Sequence, residues 1–176
     1  QPALSVKLNM SYQMLPKNIV IFGHNSKCQD IMNGFSSFRG EHNLSEGEIL
    51  NITVIDDEKS LEHFDYYREY PYVSKTVVAD IYDAELIKST IEEAVDSHEG
   101  DTSLLILSDD KAVTEDIDSA ALTYLIYVQD IILDRKKKDP DFDRNSIDVV
   151  VEILNPKNFD VVHNYSADNV VISNRY

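Results

Sequence analysis

The chain has 176 residues, a hydrophobic share of 43% and a formal net charge of −16. This composition predicts one globular domain, and the negative field is expected to repel nucleic acid and anionic lipid surfaces. No apolar run reaches the roughly 18 residues of a membrane helix, the opening residues lack the charged-then-apolar pattern of a leader, so secretion is not expected, and the single Cys28 excludes an internal disulfide.

The elements that the sequence predicts alternate in type along the chain. Residues 1–17 lack periodicity and are interpreted as a linker from a preceding segment, so the domain is expected to span 18–176. Strands are predicted at Ile19–Gly23, Ile49–Ile55, Lys75–Ile81, Ser103–Leu107, Asp148–Leu154 and Asn169–Ser173. Helices or helical turns are predicted at Lys27–Phe38, Glu58–Tyr67, Ala84–Ser97, Asp118–Arg135 and Asn155–Tyr165. This alternation predicts a Rossmann-like, doubly wound α/β fold with a mostly parallel six-stranded sheet and helices on both faces.

The long fourth helix carries more apolar positions than one face requires. One row comprises Ala121, Leu125, Val128 and Ile132, and an adjacent row comprises Leu122, Ile126 and Leu133. A helix that covers a sheet needs only one apolar face. The second row therefore indicates either a deeply buried helix or a contact with another subunit.

Ligands of parallel α/β sheets bind beyond the carboxyl ends of the strands, where the strand order switches. The turn after the first strand, Gly23–Lys27, is where the amides at the start of a helix can cradle a phosphate. The dinucleotide fingerprint places Gly at its first, third and sixth positions, and here Gly23, Asn25 and Cys28 occupy them. Asn tolerates positive φ and Cys is small, so the turn remains feasible. A tight turn without a ligand is the alternative.

Carboxylates follow the next two predicted strands. Asp56 is placed to accept hydrogen bonds from a ribose diol, or to cap the following helix. Asp80 is placed to bond an adenine or ribose group. Alternatively, Asp80 or Asp83 caps the helix that begins at Ala84. The candidate nucleotide site comprises Gly23, His24, Asn25, Ser26, Lys27, Asp56, Asp57, Asp80, Ile81, Ser108 and Asp109.

The sequence lacks the motifs of common catalytic centres. Its five histidines share no motif, and it contains no GxSxG, HExxH, Walker or CxxC pattern. A response-regulator receiver needs acidic residues after its first strand, where this chain has Gly23–Asn25. We therefore expect no enzymatic activity.

Three segments resemble motifs of one known family. Val77–Asp83, Val149–Pro156 and Ser166–Ser173 are similar, in order and spacing, to the third, fifth and closing strands of RCK (regulator of K⁺ conductance) N-terminal domains, also called KTN or TrkA-N domains. The resemblance covers roughly residues 18–176. Within that family, Ala120–Ile131 is similar to a helix of the Castor/Pollux group of ion channels.

The resemblance implies a regulatory domain on the cytoplasmic face of the cell membrane, serving a potassium or other cation channel or transporter. Its partners would be the pore portion of its own full-length chain and further copies, as a dimer within a larger ring. Binding of NAD(H) or an adenine nucleotide would shift pore opening. The crossover helix that the family uses in dimer assembly is expected to be missing, since the sequence stops after the last predicted strand.

Some members of that family bind Ca²⁺, and the matching positions here are Asp109 or Asp110 and Glu152. Glu152 pairing with a nearby cation is the alternative. Two other functions stay open beside the sensor: a NAD-dependent oxidoreductase domain, and a structural RCK module that has lost ligand binding.

Overall fold

The computed structural model describes residues 18–41, 51–97, 101–109, 117–165 and 170–173. Its strands are β1 Asn18–Phe22, β2 Asn51–Asp56, β3 Val73–Val78, β4 Thr102–Ile106, β5 Ile147–Glu152 and β6 Val170–Ser173. Its α-helices are α1 Cys28–Glu41, α2 Leu61–Arg68, α3 Ala84–Asp96, α4 Ser119–Lys138 and α5 Phe159–Tyr165. Short 3₁₀ turns lie at Glu58–Ser60, Arg144–Ser146 and Pro156–Asn158.

The strands form a parallel sheet in the order β3-β2-β1-β4-β5-β6. Five strands, β1 to β5, carry the described core, and the short β6 pairs in parallel with the outer edge of β5. The predicted α/β class with a parallel, Rossmann-like sheet is confirmed. The direction of winding reverses between β1 and β4, so the crevice expected for a ligand lies at their carboxyl ends.

The sheet is covered on both faces because its central strands are apolar on both sides. All of β1 is buried. Val20 and Phe22 join the apolar cluster beneath α3 and α4, whereas Ile19 and Ile21 join the cluster beneath α1 and α2. This alternation follows from the two-residue repeat of a strand.

Helix α4 buries the first of its two predicted apolar rows. Ala121, Leu125, Val128 and Ile132 are each at most 1% exposed. In the second row, Leu122 is partly buried against the core, whereas Ile126 is 42% and Leu133 55% exposed. The interpretation of α4 as deeply buried all round was therefore wrong, and the subunit contact stays a prediction.

Among the described helices, none has both the length and the hydrophobicity that a membrane span requires.

Strand β3 ends three residues earlier than the sequence predicts. Its pairing with β2 stops at Val78, and Asp80 Oδ1 then accepts a hydrogen bond from Tyr82 N at 2.8 Å, which closes a turn. The apolar residues Ala79 and Ile81 therefore belong to the loop at the carboxyl edge. The linker predicted at 1–17 lies outside the described residues.

Candidate functional site

The turn after β1 requires glycine at its first position. Gly23 has φ +83°, a conformation that L side chains rarely adopt. Its N–H donates to Ile55 O at 2.9 Å, and a Cβ added there would lie 3.0 Å from Leu107 O. The turn therefore packs closely against the ends of both neighbouring strands, β2 and β4.

Asn25, at the third position of the fingerprint, ties this turn to the ends of β4 and β5. Its buried side chain donates from Nδ2 to Ser108 O at 3.0 Å and to Glu152 Oε1 at 2.7 Å. Its Oδ1 accepts a hydrogen bond from Lys27 N at 3.0 Å. In this conformation the amide stabilises the turn from within the protein.

Lys27 forms an ion pair with Glu152 across the same edge. Lys27 Nζ contacts Glu152 Oε2, and the two side chains are 14% and 0% exposed. Ser108 N approaches the other carboxylate oxygen, Oε1, at 3.3 Å. Both oxygens of this buried carboxylate thus have partners, as a buried charge requires.

The alternative reading of Glu152, pairing with a nearby cation, is therefore confirmed. Within the ranges that the structure describes, no three His, Cys, Asp or Glu side chains are grouped to hold a metal ion. Asp110 lies outside those ranges, and Asp109 lines a separate crevice. The Ca²⁺ site stays a prediction.

That crevice, of about 210 Å³, lies at the carboxyl edge between the loop after β3 and the start of α4. It brings together two predicted site residues, Ile81 and Asp109. Its other lining residues are Tyr82, Ile117, Ser119, Ala120 and Thr123. Tyr82 is 85% exposed, so an aromatic ring stands at the rim.

The remaining predicted residues lie around this edge. Asp56 is buried at the end of β2, and its Oδ1 accepts a hydrogen bond from Asp57 N at 2.8 Å. His24 Nδ1 lies 2.9 Å from the hydroxyl of Tyr67, a fully buried residue of α2. Ser26 is exposed on the turn.

Cys28, which occupies the sixth fingerprint position, is a packing residue. Its side chain is 2% exposed, and burial raises the pKa of the thiol to about 11. A thiol with that pKa is protonated at neutral pH and is a poor nucleophile.

Sequence reasoning missed Asp118, which the structure places at the centre of a buried polar cluster. This carboxylate is 1% exposed. It accepts hydrogen bonds from Leu154 N at 2.8 Å, Asn155 N at 2.9 Å and Asn158 Nδ2 at 2.8 Å, and Ser108 Oγ lies 3.0 Å away. Asp118 directly precedes α4, but its side chain makes no capping hydrogen bond to that helix. Its position before a helix would have suggested such a cap, and therefore the wrong hydrogen-bond partner.

No protein-family model matches the chain, and no curated protein matches it. The resemblance to RCK domains therefore rests on the sequence motifs. Two of the three segments that carry it, Val77–Asp83 and Val149–Pro156, end at the edge described above, and the third, Ser166–Ser173, lies partly outside the described residues.

Proposed function

We propose that this chain is a ligand-sensing regulatory domain of the RCK type, which binds an adenine nucleotide at the carboxyl edge of its sheet and performs no chemistry. It would serve a potassium or other cation channel or transporter at the cytoplasmic face of a membrane, assembled as a homo-oligomer. Ligand binding would shift the pore equilibrium through different affinities for the open and closed states.

The observation that carries the proposal is the coincidence of three features at one edge. The winding of the sheet reverses between β1 and β4, Gly23 makes the first turn in a positive-φ conformation, and a 210 Å³ crevice lies at the same carboxyl edge, between the loop after β3 and the start of α4. In Rossmann-like folds this edge receives the nucleotide. Asp56, at the end of β2, is the residue placed to accept hydrogen bonds from a ribose.

The proposal is tested by thermal unfolding of the chain in the presence of added ligand. NAD⁺, NADH, ADP, ATP and Ca²⁺ are each tested separately. A ligand at 100 times its Kd adds about 2.7 kcal/mol of stability, which for a domain of this size raises Tm by roughly 5–10 °C. The shift from a nucleotide should disappear in Asp56→Ala. It should persist in the control Asp65→Ala, because the Asp65 side chain is 85% exposed on α2. A nucleotide shift that survives Asp56→Ala would contradict this placement.

One observation favours a second function, a structural RCK module without a nucleotide. Asn25, Lys27 and Glu152 already bond one another in the turn where phosphates would bind. Absence of any Tm shift would support this module. Oxidation of NADH by the chain would instead support the oxidoreductase alternative.

A further inference from the structure

The ion pair between Lys27 and Glu152 occupies the place where the first turn would meet a ligand phosphate. Lys27 is the only Lys or Arg in the segment Gly23–Cys28. Its ammonium contacts a carboxylate that comes from the end of β5, 125 residues away in sequence. An anion of the protein thus already neutralises the cation of the turn.

We propose that Glu152 is an internal competitor for anionic ligands: its carboxylate holds Lys27, and a ligand phosphate binds the first turn by drawing that ammonium away from Glu152. This inference rests on the proposed nucleotide-binding function and adds an autoinhibitory contact to the same site.

The contacts of Glu152 allow this exchange without rebuilding the edge. Oε1 accepts hydrogen bonds from Asn25 Nδ2 and Ser108 N, whereas Oε2 contacts Lys27. Lys27 keeps 14% of its side chain exposed, whereas Glu152 is fully buried. The lysine is therefore the partner that moves, and Oε1 keeps its two hydrogen bonds when it does.

Charge sets the direction of the effect. A phosphate beside Lys27 would also lie near the carboxylate of Glu152, and two anions repel strongly where water is excluded. The ligand must therefore take Lys27 from a buried acceptor and leave that acceptor charged, which disfavours binding. Neutralising Glu152 removes both the competition and the repulsion.

The test is isothermal titration of the chain with ADP and with inorganic pyrophosphate. In Glu152→Gln, Oε1 can still accept its hydrogen bonds, and we expect ADP to bind at least about tenfold more tightly than in the wild type. The control Glu93→Gln makes the same change in charge and breaks an exposed ion pair with Lys75 (3.1 Å) at the amino edge. It should leave the Kd unchanged. Adding Lys27→Gln to Glu152→Gln should abolish the gain.

Each outcome decides between the proposals. An equal or weaker affinity in Glu152→Gln, with ADP binding to the wild type, would overturn the competition and leave the nucleotide function standing. Absence of binding to both proteins would overturn the two together. Pyrophosphate binding to Glu152→Gln without any preference for ADP would support the anion exchange and contradict the nucleotide function.

Glu152→Gln must unfold in a single cooperative transition to count as folded. If it does not, a second variant, Glu152→Asp, takes its place in the test. Glu152→Asp keeps the charge and withdraws it from Lys27 by one methylene group. It should give a smaller gain of the same sign, and an unchanged Kd would overturn the proposal.

Discussion

Replacing Asp118 by Asn tests the buried cluster that joins the start of α4 to the loop after β5. The substitution keeps the shape of the side chain but turns one acceptor oxygen into a donor. An amide nitrogen in the place of Oδ2 would face two donors, Asn155 N and Asn158 Nδ2. In the place of Oδ1 it would face Leu154 N and Ser108 Oγ. The second orientation is preferred, because a hydroxyl can accept as well as donate.

The cost follows from that orientation. Ser108 Oγ can accept from the new amide and donate to Glu152 O, which lies 2.7 Å away. Only the partly buried N–H of Leu154 then loses its acceptor, at about 1–3 kcal/mol. Asp118→Ala removes the acceptors for all the donors, and we expect a loss of about 3–5 kcal/mol.

Urea unfolding, extrapolated to water, measures both losses. Asp143→Asn is the matched control, because the side chain of the exposed Asp143 accepts a local hydrogen bond from Asn145 N at 2.9 Å. Asn serves equally well at such a position, so the control should stay within about 0.5 kcal/mol of the wild type. A loss in Asp118→Asn no larger than that of the control would refute the reasoning.

Three further predictions concern single groups. Gly23→Ala should destabilise the fold by about 2–4 kcal/mol in urea unfolding, through the left-handed backbone and the contact with Leu107 O, and a loss below about 1 kcal/mol would contradict this. Burial, and then repulsion from Asp101, raises the pKa of Asp148, so the folded state prefers this carboxyl protonated and loses stability as pH rises through the unfolded and then the folded pKa. Asp148→Asn should therefore raise Tm at pH 7 but not at pH 3.5; a lower Tm at pH 7 would show that the charge is stabilising. With a pKa of about 11 against 9.0 for the free group, Cys28 carries about a hundredfold less thiolate at pH 8, so iodoacetamide should alkylate it at least that much more slowly than in urea; similar rates would contradict its burial.

The sequence predicts the central strands well because burial on both faces leaves a direct signal. β1, β4 and β5 are runs of apolar residues, and the structure places each within a residue or two of its expected position. The predicted end of β3 was wrong, because this strand lies at the edge of the sheet. There, apolar residues such as Ala79 continue past the last paired residue, and only the turn at Asp80 ends the strand.

The sequence predicted where the candidate site lies. It did not predict which side chains bond one another there. Because the carboxyl ends of parallel strands meet at one edge of the sheet, the sequence alone predicts that Asn25, Ser108 and Glu152 lie there together. Which carboxylate would meet Lys27 depends on side-chain reach across the finished sheet, and an acidic chain offers many candidates. Asp118 was missed for the same reason, since three of its partners, Leu154, Asn155 and Asn158, lie 36 to 40 residues further along the chain.

The buried Asn18 at the start of β1 has a consequence for strand alignment. The residues that follow it, Ile19 to Phe22, are apolar on both faces, so sliding β1 by two residues would still bury similar side chains. Asn18 has no such freedom, because its side chain bonds Thr102 Oγ1 at 3.2 Å and Asn51 Nδ2 at 2.9 Å, from its register partners on β4 and β2. A shifted strand would leave this amide buried without those partners. One polar residue thus selects a single alignment for the centre of the sheet, where hydrophobicity alone would accept several.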